Sequence, residues 1–474
     1  MIVEKVPADN METAMTSIAS AFASTFAGLS VAPDDDRYDE TRSIWNGMVD
    51  AHPALIAQCR NPEDIITAVN LTRDAGLPLA VRGGGHSVAG LCVNDGGVVI
   101  DLSLMRRVTV DPERRIAVVE PGATWADYDA ATASYGLAST GGIISTTGVA
   151  GLTLGGGIGW LQRKYGLACD NLIAAEVITA EGNRVRANSK ENSHLLWGLR
   201  GGGGNFGVVS HFEFSLHDVA TVIGGLMLFP LEAGQRVLRA FRDWAAELPD
   251  EASMIAAVMT APPEPFVPAE MVGQKVVGIA GCWCGDLDEG ASVLGPLRAL
   301  KPVVDVFSPM PYPVLQQMLD GGAPPGLRNY FRGGYVPELS NNLIDVVLDH
   351  GARLPSPLSA IHFHNMGGAV GRVGIGDTAF SGRDAAYTYN LISIWTDPLE
   401  DLQQISANRE LAADLAPLSQ AGTYVNFLTD ASGDGDVQVR AVYGNALYER
   451  LSRLKREFDP SNLFQANYNV RPAH

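Results

Sequence analysis

The sequence predicts an α+β fold in two parts, and three observations carry the prediction. Up to about residue 216 the chain reads as short strands closed by tight turns, without a long βαβ rhythm. From about Leu216 the character changes: longer helices such as Glu232 to Glu247 alternate with strands such as Lys275 to Trp283, and proline-rich connections appear at Ala261 to Pro268 and Gly322 to Pro325. Three glycine-rich stretches, all in the first part, mark backbone that closely approaches something else.

The 474 residues are long enough for two or three domains with ample core, and the 46% apolar and 18% charged content is that of a soluble globular protein. A net charge of −19 argues against nucleic acid or an anionic membrane as partner, since both reward basic patches. Five scattered cysteines, an odd number, read as reduced thiols in a cytoplasmic protein rather than a disulfide framework. Ala14 to Pro33 is free of charge but rich in Ala, Ser and Thr, and Glu4, Asp9 and Glu12 precede it, so a secretory signal is not expected. No run approaches the ~18 to 20 apolar residues of a membrane span.

Residues 11 to 28 read as an amphipathic helix bracing the N-terminus. A second helix opens at Asn61 as N-cap, with Pro62 in the first turn and Glu63 and Asp64 on the positive end of the dipole, and stops at Gly76. It feeds the central stretch, Leu79 to Ser103, in which a β-branched run enters Gly83, Gly84 and Gly85 and ends on His86. Three successive residues without Cβ can turn N–H groups into one concavity, which suits an anionic phosphate.

Paired strands follow at Arg107 to Val110 and Arg115 to Glu120, joined at Asp111-Pro112, and then Thr124 caps a helix running toward Gly136. Gly141 to Gly159, GGIISTTGVAGLTLGGGIG, reads as backbone lying flat against a planar partner. As a flexible surface linker it would expose Ile143, Ile144, Val149, Leu152, Leu154 and Ile158. Gly202, Gly204 and Gly207 satisfy Gly-x-Gly-x-x-Gly, but a helical run, His194 to Arg200, precedes them and a strand, Val208 to Phe214, follows; dinucleotide binding needs the reverse order. The tail closes with an amphipathic helix bearing Leu447, Leu451, Leu454 and Phe458 on one face, stopped at Asp459-Pro460 and followed by NLFQANYNVRP.

The RGGGHS loop, the STTGVAGLTLGGGIGW stretch, the LWGLRGGGGNFGVV segment and the FxxNxNVxP tail together resemble the FAD-linked oxidases related to berberine bridge enzyme, in the vanillyl-alcohol-oxidase and p-cresol-methylhydroxylase superfamily. The resemblance covers residues 40 to 215 and 420 to 474. It implies a two-part FAD-binding domain of the p-cresol-methylhydroxylase type over 37–216, an α+β substrate domain with an antiparallel sheet covered by helices over 217–420, and a berberine-bridge-like segment over 421–474 that returns to the FAD domain.

The resemblance also implies that His86 bonds covalently to the flavin, with Arg82, Gly83, Gly84, Gly85 and Ser87 as the phosphate cradle and Gly90 beside it. It extends the FAD site to Gly142, Thr146, Thr147, Gly148, Gly151, Gly155, Gly157 and Gly159, then Gly207 and Val209, and in the tail Asn467 and Asn469. Relatives with a second, cysteinyl link carry that cysteine two residues beyond the glycine matching Gly142; here the position is Ile144, so a single histidyl bond is expected. Plant members have a histidine where this chain has Leu152.

Family members use a tyrosine in a Tyr-x-Asn motif, which Tyr424 and Asn426 match, so Tyr424 is the first candidate for proton transfer; its alternative is an ordinary strand tyrosine. The partner position, five residues before Trp395, is Asn390, an amide that can orient but cannot act as a base. His362 and His364 alternate on a strand and share a face, readable as pocket lining or as a polar strand face, and no metal is expected there. Cys282 and Cys284 share a face without a second pair, and Cys92 reads as a buried thiol.

The expected activity is hydride transfer from an alcohol or amine carbon of a secondary metabolite, alkaloid or sugar to flavin N5, with O2 as acceptor and H2O2 as product. A flavin dehydrogenase with another acceptor, or a non-catalytic flavin or ligand binder, would share every motif. The oligomeric state stays open, a homo-oligomer included.

Overall fold

The computed structural model describes residues 18–430 and 435–474. Of the predicted N-terminal helix, residues 11–17 lie outside the described residues, and 18–25 are helical.

The first part holds two sheets. In the smaller one Leu55–Gln58 and Leu79–Arg82 run parallel to Val98–Asp101 on its two sides, and Leu29–Val31 adds an antiparallel edge. Val98–Asp101 is buried along its whole length, which is why it reads as an unbroken apolar run ending on one acid. The helix between the outer strands, Pro62–Asp74, has the expected cap: the Asn61 side chain accepts from the Asp64 N–H, and Gly76 (φ +65) leaves the helix in the left-handed conformation. The five-stranded sheet runs Val108–Asp111, Ile116–Val119, Val208–Ser215, Leu172–Ile178, Arg184–Asn188, antiparallel throughout. Thr124 and Asp127 close a reciprocal capping box on Trp125–Ala133.

The second part is an eight-stranded antiparallel sheet. Its strands alternate: Met254, Ala256, Val258, Val277, Ile279, Ile361, Phe363, Tyr389 and Leu391 face a core closed by the helices Gly234–Ala245, Asn341–Ala352 and Asp401–Leu415. The helix predicted over Glu232 to Glu247 is shorter, since Leu231–Ala233 is a separate 3-10 turn. The opposite face of this sheet is therefore free to meet the first part.

The C-terminal helix, Gly435–Phe458, is broken at Gly444 (φ +73), and its second half puts Tyr448, Leu451, Leu454 and Phe458 into the core that also holds Trp125, Phe206, Phe212 and Phe214. Lys455 and Asp459 form a fully buried ion pair at 2.7 Å, and the Lys455 ammonium also donates to the Asn205 and Phe464 carbonyls. A buried charge pair is tolerable only when its remaining hydrogen-bonding capacity is met, and here it fastens the tail to the glycine loop before Val208.

Candidate active site

The strand Leu79–Arg82 delivers the chain into Gly83, and the two glycine stretches meet directly. A Cβ on Gly84 would lie 2.5 Å from Gly148 Cα, and one on Gly83 would lie 2.9 Å from the Pro121 carbonyl oxygen. Gly85 turns with φ +70 and aims His86 at the cavity. The imidazole stacks on Trp45, with ring centroids 4.9 Å apart and planes 17° from parallel, and its Nε2 lies 3.1 Å from Thr146 Oγ1. Burial pulls its pKa down to about 4, so the ring is neutral at physiological pH.

The stretch from Gly141 to Gly159 is not the flat ribbon expected from its composition. Val149–Leu154 is a short helix, because Val149, Ala150 and Thr153 are buried on its inner side, and Gly156 and Gly157 (φ +128 and +88) turn the chain out of it. At that turn Tyr424 Oη accepts from the Gly157 N–H (3.0 Å), the Ile158 N–H (3.4 Å) and Asn426 Nδ2 (2.8 Å). Asn426 also donates to the Leu152 carbonyl at 3.1 Å, so the Tyr-x-Asn motif pins the end of the tail segment to the glycine stretch. Burial pushes the Tyr424 phenol up to about 12 against the three donors, which pull the other way.

Across from these loops lies the free face of the large sheet, and between them is a cavity of about 490 Å³. His362 and Asn390 are directly opposed on neighbouring strands, with His364 two residues along and Ile392 and Ile394 beyond. His362 Nδ1, His364 Nε2 and Asn390 Oδ1 are buried without a hydrogen-bond partner among the described residues. Burial holds both imidazoles neutral, with pKa values pulled down to about 4 and about 3.

Of the residues singled out from sequence, Gly83, Gly84, Gly85, His86, Ser87, Thr147, Gly148, Gly151, Gly155, Gly207, Val209, Asn467, Tyr424 and Asn390 all line this one cavity. Others do not reach its wall. Arg82 turns into a buried 2.7 Å ion pair with Asp101, which removes its guanidinium from any phosphate cradle. Gly90 (φ +74) packs on Val49, Gly142 on Leu152, and Gly159 on the Gly141 carbonyl, where a Cβ would lie at 2.0 Å. Thr146 and Gly157 instead contact His86 and Tyr424, and Asn469 stands half-buried off the wall. Ile144 lines the cavity, whereas Cys169 is buried off its wall, in the cluster that also holds Tyr424 and Phe380. Trp45, Phe331, Ile392 and Ile394 escaped sequence reasoning, since isolated apolar residues carry no spacing signal.

The residues present fit FAD. The two glycine stretches present bare backbone along one wall, and no Lys, Arg, Asp or Glu lines the cavity among the described residues, so backbone N–H groups and the Ser87 and Thr147 hydroxyls would meet a diphosphate. Family comparison agrees: residues 53–188 match the FAD binding domain family, and 423–471 match the family described as berberine and berberine like. An FAD-linked oxidoreductase of Dictyostelium discoideum is 30% identical over 470 residues, 98% of this chain and 99% of the relative. The (R)-6-hydroxynicotine oxidase of Paenarthrobacter nicotinovorans is 29% identical over 460 residues, 93% and 96% of the two chains. The crystal structure of 6-hydroxy-D-nicotine oxidase from Arthrobacter nicotinovorans superposes with a TM-score of 0.83 at 26% identity, covering 95% of this chain and 99% of that one. Glycine cradles, tail and overall fold thus agree that this chain belongs to the FAD-linked oxidoreductases of the berberine-bridge-like type.

Proposed function

We propose that this protein is an FAD-dependent oxidase that removes hydride from an alcohol or amine carbon of a small metabolite and uses O2 as the acceptor. The observation that supports this best is the single cavity in which the glycine-loop wall with His86 faces the polar strand wall with His362, His364 and Asn390, with Tyr424 also on its wall. Bound FAD supplies the hydride acceptor, flavin N5, and the route for electrons to oxygen. His86 is the residue to hold the flavin covalently: a neutral imidazole is a competent nucleophile, and Trp45 and Thr146 fix its orientation. Ile144 offers no nucleophile for a second link.

Tyr424 is the proton-transfer residue. Near neutrality it is a phenol whose oxygen accepts from three donors, and these would stabilise the phenolate; it takes the substrate's O–H or N–H proton as hydride leaves only after losing its own, so the step depends on its ionisation. Asn390 orients the substrate. Residues 37–216 and 421–474 hold FAD in this reading, and 217–420 shape the substrate side. The five cysteines are all free thiols, which supports a cytoplasmic location; among the described residues no helix is long and apolar enough to cross a membrane.

Anaerobic addition of alcohols, amines and sugars to the yellow protein tests the proposal. Bleaching by at least one class, followed by reoxidation in air within seconds in a stopped-flow mixer, is the expected result. Bleaching with slow reoxidation identifies a dehydrogenase, and no bleaching by any compound identifies a non-catalytic binder.

A further inference from the structure

The polar wall of the cavity is narrow and uncharged. His364 and Asn390 are 2% and 3% exposed, His362 is half-buried, and the two imidazole ring centroids stand 6.0 Å apart. Around this row the strands present Phe331, Ile392 and Ile394. No Lys, Arg, Asp or Glu lines the cavity among the described residues, although the chain as a whole carries a net charge of −19.

We propose that the His362–His364–Asn390 row is the specificity-determining site for an uncharged, mainly apolar ring compound that carries one hydroxyl or amino group as its hydrogen-bonding edge. This assignment rests on the oxidase reading of the cavity and names its substrate class.

Neutral imidazoles each offer one N–H donor and one lone pair, and a carboxamide offers both, so the row can pair with a hydroxyl or a neutral amine in either sense. Each of the three residues has an unpaired buried atom, and a ligand that pairs them removes a desolvation penalty already present in the fold. At this row an anion or an ammonium would be desolvated beside neutral side chains alone, with neither a counter-charge nor the bare backbone of the glycine wall, which is costly. An oligosaccharide would bring more hydroxyls than the three-residue row can pair, beside Phe331, Ile392 and Ile394, which pair none. A flat ring with one polar edge brings one group for the row to pair and sets apolar surface against the rest.

Binding to the purified flavoprotein, measured by calorimetry and by the shift of the flavin absorption band, tests this with redox-inert probes of one shape: 2-naphthol, naphthalene, 2-naphthoate and 2-naphthylmethylammonium, with cellobiose as the sugar. The expected result is that 2-naphthol binds about tenfold or more tighter than each of the others, the worth of a paired over an unpaired buried group. In the double variant His362→Leu/His364→Leu the advantage of 2-naphthol over naphthalene is lost while naphthalene binding persists, and His362→Asn with His364→Gln restores part of it. Tighter binding of 2-naphthoate, the ammonium or cellobiose by the wild-type protein overturns the inference, and so does an unchanged 2-naphthol preference in the double variant. If that variant does not fold, the wild-type series alone decides. An enzyme that is bleached only by charged or polyhydroxylated compounds also refutes the row's role and leaves the oxidase reading standing.

Discussion

The indole of Trp45 stacks on the imidazole of His86 and at the same time donates from Nε1 to the Ala323 carbonyl at 2.9 Å. One aromatic side chain therefore connects the residue proposed to carry the flavin to the 320–326 loop on the substrate side, which is also tied by Asp320 to the Ser145 N–H and hydroxyl. The histidine is held by its neighbours rather than by its own backbone alone.

Replacing His86 with Ala removes the proposed tether. In the wild type the yellow colour stays with protein precipitated in acid; in His86→Ala it washes into the supernatant. Trp45→Leu keeps the nucleophile but loosens it, and a mixture of bound and released pigment is expected. Full retention of colour by His86→Ala sinks the covalent assignment.

Tyr424→Phe removes the acceptor shared by the Gly157 N–H, the Ile158 N–H and one Asn426 donor in a buried place, at a cost of about 1 to 3 kcal/mol in stability. Its effect on kcat should exceed that on KM. Because burial holds the phenol at about 12, a rate that depends on its ionisation climbs with pH through the alkaline range, and the Phe variant loses that climb. A pH series of kcat/KM on both proteins checks it.

Gly148→Ala places a methyl 2.5 Å from Gly84 N, where both partners are backbone and neither can yield. Loss of flavin binding together with a lower melting temperature is expected. Gly151→Ala has nothing within 4 Å of the new methyl, so its stability should match wild type to within about 0.5 kcal/mol. Equal melting curves for the two variants contradict the close-packed contact between the glycine stretches.

Asp129 is wholly buried, with one oxygen accepting from Gln316 Nε2 at 3.0 Å and the other unpaired, and burial raises its pKa to about 7. The folded state therefore binds the proton more tightly than the unfolded state does. Its contribution is fully present below the ordinary value of 3.8, and stability falls as pH rises from there through about 7. Asp129→Asn imitates the protonated form at every pH. The variant should match wild type near pH 4 and exceed it above pH 7, by at most on the order of 4 kcal/mol. Melting temperatures that run parallel across this range contradict the shifted carboxyl.

The helix caps at Asn61 and Thr124 were legible because each rests on a hydrogen bond between residues three apart. The second glycine stretch was misread as flat: its composition shows room for close approach but not that Val149 and Ala150 find a core to bury against. The ion pair of Arg82 is not legible for a similar reason, since its partner Asp101 is adjacent only once two parallel strands have paired.

By itself the sequence determined the local and the compositional: strand and helix types, glycine-rich backbone ending on a histidine, the Tyr-x-Asn motif and the family these imply. Only the tertiary structure decided that His362, His364 and Asn390 line the same cavity as His86, with no Lys, Arg, Asp or Glu on its wall among the described residues, and which candidate glycines reach that wall. The physical reason is that spacing along a chain sets hydrogen bonds and faces within an element, whereas burial, pKa and the loss of water depend on segments hundreds of residues apart coming together.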